Sequence, residues 1–188
     1  MPELPIIPFE TPDEWEKWLE KNHTESSGIW LKIAKKESGH PSVNYAEALD
    51  VALCFGWIDG QKDKFDDEYW LQKFTPRRAK SGWSAVNREK IDKLTAAGKM
   101  RPAGLREVEN AKKDGRWDTA YLSQSKIGIP EDFQTELDKN PVAKEFFGTL
   151  KSAQRYSFLY RITTAKKAET RQKRITDYIT LLNEKKTL

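Results

Sequence analysis

The residue types best suited to chemistry gather in one stretch, CFGWIDGQKDKFDDEYWLQKFTPRRAKSGWSAVN, residues 54–87. Arg77, Arg78 and Lys80 stand a few residues ahead of Ser84, which reads as the start of a helix. Unpaired N–H groups and the positive dipole end at a helix start favour anions. From Arg77 to Arg101 there are eight basic residues against two acidic ones, a net +6. The chemistry this suggests is recognition of a carboxylate or phosphate by the planar guanidinium fork. Ser84 would cap the helix, Trp57 and Trp83 would wall the pocket, Asp59 would orient an arginine or the ligand, and Asn87 completes the ligand-binding set. The same residues also make an ordinary solvated basic loop, with the indoles in the core and Asp59 at a strand end, and both readings stand at this stage.

Other chemistries find less support. Asp59 and Ser84 have no His in the motif, so no nucleophile–base arrangement is legible and no catalytic residue is assigned. His23 and His40, the two histidines, fall at a helix end and in a Gly-His-Pro turn; with one Cys they match no zinc spacing. Both are expected to be exposed. Asp63, Asp66, Asp67 and Glu68 form an acidic turn whose hard oxygens suit iron, an alternative function, although Lys62 and Lys64 oppose cation accumulation. No cofactor is implied.

Composition sets the frame. The 188 residues carry a net charge of +4, 37% hydrophobic and 33% charged residues, enough chain for a real core. Residues 141–188 hold 11 Lys or Arg against 4 Asp or Glu, leaving residues 1–140 at −3. The basic end admits an acidic protein partner, anionic lipid or weak, sequence-independent nucleic-acid binding. A lone Cys54, on the apolar face of a predicted helix, excludes an intrachain disulfide and reads as a buried structural thiol in a reducing compartment. No run of about 18 apolar residues predicts a membrane span. The first residues, MPELPIIPFE, do not read as a signal peptide, and the expected location is cytoplasmic.

The elements that must position these residues follow from local signals. Residues 1–10, Pro-rich, read as extended on the surface. Thr11-Pro12-Asp13-Glu14 is a helix entry with a capping box, and Trp15, Trp18 and Leu19 give that helix its buried face to about His23. Gly28–Lys36 alternates as a strand. Asn44 and Glu47 open a helix with Ala48, Leu49, Ala52, Leu53 and Phe55 inward, which Gly56 closes. Trp57–Phe65 and Glu68–Phe74 form an antiparallel hairpin about Asp66-Asp67. Helices follow from Ser84 to about Ala97 and from Ala103 to Lys113, the latter with Leu105 and Val108 on its apolar face. Residues 116–129 read as a linker docked by Trp117 and Tyr121. Residues 130–188 read as three or four short helices anchored by Phe133, Leu137, Phe146, Phe147, Leu150, Ile175, Ile179 and Leu182. The fold class is therefore α+β over residues 1–115, a small antiparallel sheet packed with helices, then an all-helical module over 130–188.

Three segments between Tyr45 and Gly104, YAEALDVALCFGWIDGQ, FTPRRAKSGWSAVN and GKMRPAG, resemble the YdeI/OmpD-associated, or bacteriocin-protection, proteins. IPEDFQTELDKNPVAKEFF and AKKAETRQKRI resemble the OmdA-type helical module of the same family. The resemblance implies a YjbR/CyaY-like (frataxin-related) first domain and a role in resistance to envelope-directed stress such as bacteriocins. It carries over no catalytic residues. Residues and resemblance together lead to a non-enzymatic protein that binds a small anionic molecule.

Overall fold

The computed structural model describes residues 4–118, 122 and 126–188; Tyr121, expected to dock the linker, lies outside them. Two compact units emerge, Met1–Gly82 with Asn87–Asp118, and Trp83–Val86 with Thr119–Leu188. The first contains β1 (Ile6–Pro8), α1 (Pro12–Asn22), β2 (Ile29–Ala34), α2 (Tyr45–Cys54), β3 (Trp57–Lys64), β4 (Tyr69–Pro76), most of α3 (Ala85–Ala96) and α4 (Pro102–Lys113).

The helix starts follow their capping chemistry. Thr11 accepts from Glu14 N at 3.3 Å, while the Glu14 carboxylate reaches past Thr11 to Glu10 N at 2.9 Å. At α2 the box is complete: Asn44 accepts from Glu47 N, and Glu47 accepts from Asn44 N. Gly56 ends α2 at φ +75°, a left-handed turn that a side chain would strain.

The sheet runs β1-β2-β4-β3 and is mixed, not purely antiparallel. Residues 6–8, expected only to lie extended, pair in parallel with β2 across the α1 crossover. The β2–β4 register puts Ile29, Leu31 and Phe74 on one face and Trp30, Lys32, Leu71 and Tyr69 on the other. The first face meets α1: Trp15 lies 5.8 Å from Phe74 and edge-on to Trp57 at 6.1 Å, ring packing that fixes geometry as well as area. A register irregularity between Asp59 and Lys62 is plugged by buried Gln72, whose amide donates to Gly60 O and Gln61 O.

In α4 the buried face is Gly104, Val108 and Ala111; Leu105, expected inward, is exposed. His23, expected exposed, is half-buried, its ring 2.8 Å from Leu19 O. Trp117 is buried, with Arg88 and Lys112 over its ring.

The second unit holds α5 (Glu131–Lys139), α6 (Pro141–Thr149), α7 (Ser152–Thr163) and α8 (Ala168–Asn183). Phe133, Phe147, Phe158 and Tyr178 form a chain of edge-to-face rings 5.1 to 6.2 Å apart through its core. None of the helices among the described residues is long and apolar enough to cross a membrane.

One ion pair in this unit gives a pH signature. Arg171 forks onto both carboxylate oxygens of Asp132 at 2.6 and 2.8 Å, and that hydrogen bonding holds Asp132 below the usual carboxylate range. A lowered folded-state value contributes stability above the unfolded value of about 3.9 and loses it as pH falls through the folded one. Asp132→Asn should therefore flatten the acid limb of this unit's stability below about pH 5, an effect kept small by solvent screening. Circular dichroism melts at stepped pH will test this, and an unchanged acid limb would assign the acid sensitivity elsewhere.

Candidate functional site

The residues singled out from sequence are placed as follows. Trp57 is 1% exposed, among Trp15 and Trp18, and its Nε1 donates to His23 O at 3.2 Å. Asp59 accepts from Tyr45 Oη at 2.8 Å; burial, and then this bond, push the Tyr45 phenol well above its ordinary range. Arg77 is 8% exposed, and its Nη1 donates to Gly82 O at 3.2 Å while its backbone N–H meets Gly56 O. Arg78 and Lys80 are exposed, and Arg78 N is held by Ser81 Oγ. Asn87 is buried; Trp83 and Ser84, grouped with the second unit, are buried and half-buried. Arg77 thus folds its own loop, whereas Arg78 and Lys80 point their charge outward from it.

The acidic turn is organised by its own backbone. Asp66 accepts from Glu68 N and Tyr69 N, and Lys35 Nζ donates to the carbonyls of Asp66 and Asp67. Among the described residues no three His, Cys, Asp or Glu side chains gather where they could hold a metal ion.

A cleft of about 460 Å³ opens where the ends of β1, β2 and β4 meet the segment 40–42. Phe9, Tyr69, Pro8 and Pro41 give it apolar walls, with Lys32, His40, Ser42, Glu10 and Glu14 as its polar groups. Lys32 leaves β2 on the face opposite Ile29 and Leu31, and the antiparallel register brings Tyr69 to that face. The Lys32 ammonium sits 3.9 Å from the Tyr69 ring centroid and 4.5 Å from that of Phe65. No carboxylate lies within ion-pair distance of it among the described residues. His40 stacks on Tyr69 at 5.2 Å and faces Glu68 at 3.1 Å. Ser42 Oγ accepts from Ala34 N. The outcome is a half-buried cation steered by aromatic faces, with the Asp66 carboxylate near enough to feel its charge.

Lys32, Phe65, Tyr69 and His40 carry no motif in the sequence. The available signal was the Leu31-Lys32-Ile33 alternation, which sets Lys32 opposite two core positions.

A family model described as "Domain of unknown function (DUF8412)" matches residues 7–107, more than half of the chain. The chain belongs to the DUF8412 family. A second model, OmdA, described as "Bacteriocin-protection, YdeI or OmpD-Associated", matches residues 126–185. The DUF8412 part thus holds the sheet and the Lys32 cleft, and an OmdA domain makes up the helical part. The OmdA resemblance read from sequence is shown on those C-terminal residues; neither match extends to the YjbR/CyaY-like superfamily. No curated protein and no solved structure matches the chain.

The DUF8412 part has a second, larger cleft, about 550 Å³, lined by Asp13, Glu16, Glu47, Asp50, Cys54 and Arg101 among others. Its charges are largely spent within the protein. Arg101 pairs with Glu16 at 2.7 Å and Glu20 at 3.3 Å, Lys90 with Asp50 at 2.5 Å, and Glu47 caps α2. Burial pushes the Cys54 thiol up to about 11, with Glu16 and Asp50 adding to the shift, so it stays protonated and inert at neutral pH. The smaller cleft differs in that its cation is held by two aromatic rings.

Proposed function

We propose that this chain is a non-enzymatic binding protein of bacteriocin protection, whose DUF8412 part takes a small molecule bearing a carboxylate or phosphate. The observation that carries the reading is the Lys32 ammonium, held by two rings at a cleft with no carboxylate within ion-pair distance of it among the described residues. Apolar walls with convergent polar groups are features of ligand sites, and this cleft combines four apolar residues with five polar ones. Glu10 and Glu14 at the same cleft favour a ligand that also carries a hydrogen-bond donor or an amine. The anionic group would meet Lys32, and a flat body would lie along Tyr69 and Phe9. The link to bacteriocin protection is supported by the OmdA match. Asp59, engaged by Tyr45, and the protonated Cys54 favour binding over catalysis. The exposed Arg78 and Lys80 are the second candidate for meeting an anion, from the 77–82 loop.

Titration of the protein with 4-aminobenzoate and with inorganic phosphate, followed by amide chemical shifts, tests the reading. Shifts are expected around Lys32, Ser42 and Tyr69. Lys32→Met keeps the apolar stem and removes the charge; it should weaken binding tenfold or more, since a hydrogen bond to a charged group contributes about 1.5–3 kcal/mol. Shifts centred on Arg78 and Lys80, or equal binding by Lys32→Met, would move the site or remove it.

A further inference from the structure

The last two helices of the OmdA domain carry positive charge of two kinds. Between residues 161 and 174 stand Arg161, Lys166, Lys167, Arg171, Lys173 and Arg174 against one acid, Glu169. Two of the arginines have internal work. Arg171 Nη1 donates to Ile162 O at 2.9 Å besides gripping Asp132, and Arg174 Nη1 donates to Arg161 O. Both therefore close off the terminal carbonyls of α7, where cations are favoured. That accounts for two charges and leaves four.

Arg161, Lys166, Lys167 and Lys173 are all exposed, and none of them enters an ion pair among the described residues. The Arg174 bond to the Arg161 carbonyl holds the second turn of α8 against the last turn of α7, so these charges share one corner. Exposed Thr163, Thr170 and Gln172 are interspersed with them.

We infer that this corner docks the phosphate backbone of a nucleic acid, without reading its sequence. Interspersed Lys, Arg, Thr and Gln are the side chains that contact phosphates. An anionic membrane is the competing polyanion, and the apolar residues argue against it. A membrane-surface helix must present large apolar side chains to the acyl boundary, whereas Ile175, Tyr178, Ile179 and Leu182 of α8 are all buried in the helical core. Within 161–174 no exposed apolar side chain is larger than alanine.

The test uses the full chain and a labelled random-sequence duplex of about 20 base pairs, with anisotropy read at about 50 and about 200 mM salt. Four phosphate contacts give a log–log salt slope near −3.6, from about −0.9 per contact. The triple variant Lys166→Gln, Lys167→Gln, Lys173→Gln should bring the slope to about −1 and weaken low-salt binding more than tenfold. Lys62→Gln with Lys64→Gln, a charge loss of similar kind on β3, should leave binding as it was. Should the triple variant lose helical circular dichroism, the single substitutions are read in its place. Absence of duplex binding at about 50 mM salt would overturn the inference. So would equal binding by the triple variant, equal loss in the β3 variant, or capture by phosphatidylserine vesicles with no duplex binding.

Discussion

Gly104→Ala should destabilise the first unit by about 3 kcal/mol or more, the upper range for forcing atoms into a packed interior. The reason is the way α4 arrives. Arg101 N donates to Cys54 O at 3.1 Å, which lays the first turn of α4 directly on the end of α2. A Cβ on Gly104 would stand 2.3 Å from Cys54 O and 2.8 Å from Leu53 O, both backbone atoms that no rotamer change can clear. Either α4 lifts, breaking the Arg101 contacts with Glu16 and Glu20, or the end of α2 unwinds. Six of the seven tryptophans lie in the first unit, so urea unfolding followed by indole fluorescence reports on it. Gly148→Ala is the contrast: its Cβ would meet nothing within 4 Å near the end of α6, and helix propensity predicts a gain of up to about 1 kcal/mol in the second unit. A Gly104→Ala loss below about 1 kcal/mol would mean that the α2–α4 junction yields freely.

Trp15→Ala should be comparably severe, about 3–5 kcal/mol, the usual cost of deleting a buried aromatic. Trp15 is fully buried, lies within ring contact of Phe9, Trp18, Trp57 and Phe74, and donates Nε1 to Ala48 O at 3.1 Å. It therefore ties α1, α2 and the sheet at a single point. Trp15→Phe separates the two contributions: the ring volume is largely kept, but the Ala48 carbonyl loses its donor, a penalty of about 1–3 kcal/mol. Equal losses in the two variants would show that the hydrogen bond, more than the packing, holds α1 down.

Much of the fold was legible because its signals are local. Thr11-Pro12 and Asn44…Glu47 name helix starts by the chemistry of unpaired N–H groups, and Gly56 marks a stop that other residues resist. Where distant partners decide, the sequence falls short. Residues 6–8 become a strand only because β2 offers them a parallel ladder, and three residues with a proline show no alternation to detect. Leu105 looks inward by type, yet close approach of two helices favours the side-chain-free face at Gly104. The site suffers the same limit. Arg77 and Arg78 are neighbours of one type, but the first turns into its own loop and the second outward, a difference set by Gly82 O five residues on. Lys32 was read as the polar half of an alternation; the rings of Phe65 and Tyr69 reach it only through pairing with a strand some forty residues later.

The two rims of the sheet have a consequence for behaviour at high concentration. An open strand border is a template on which a second chain can add and start a fibre. Here β1 presents three residues ending in Pro8, and β3 is broken by its irregularity at Gly60-Gln61 and carries Lys62 and Lys64. Neither border offers a long, flat, uncharged row of amides, so crowding this protein should favour separate copies over strand-to-strand stacking.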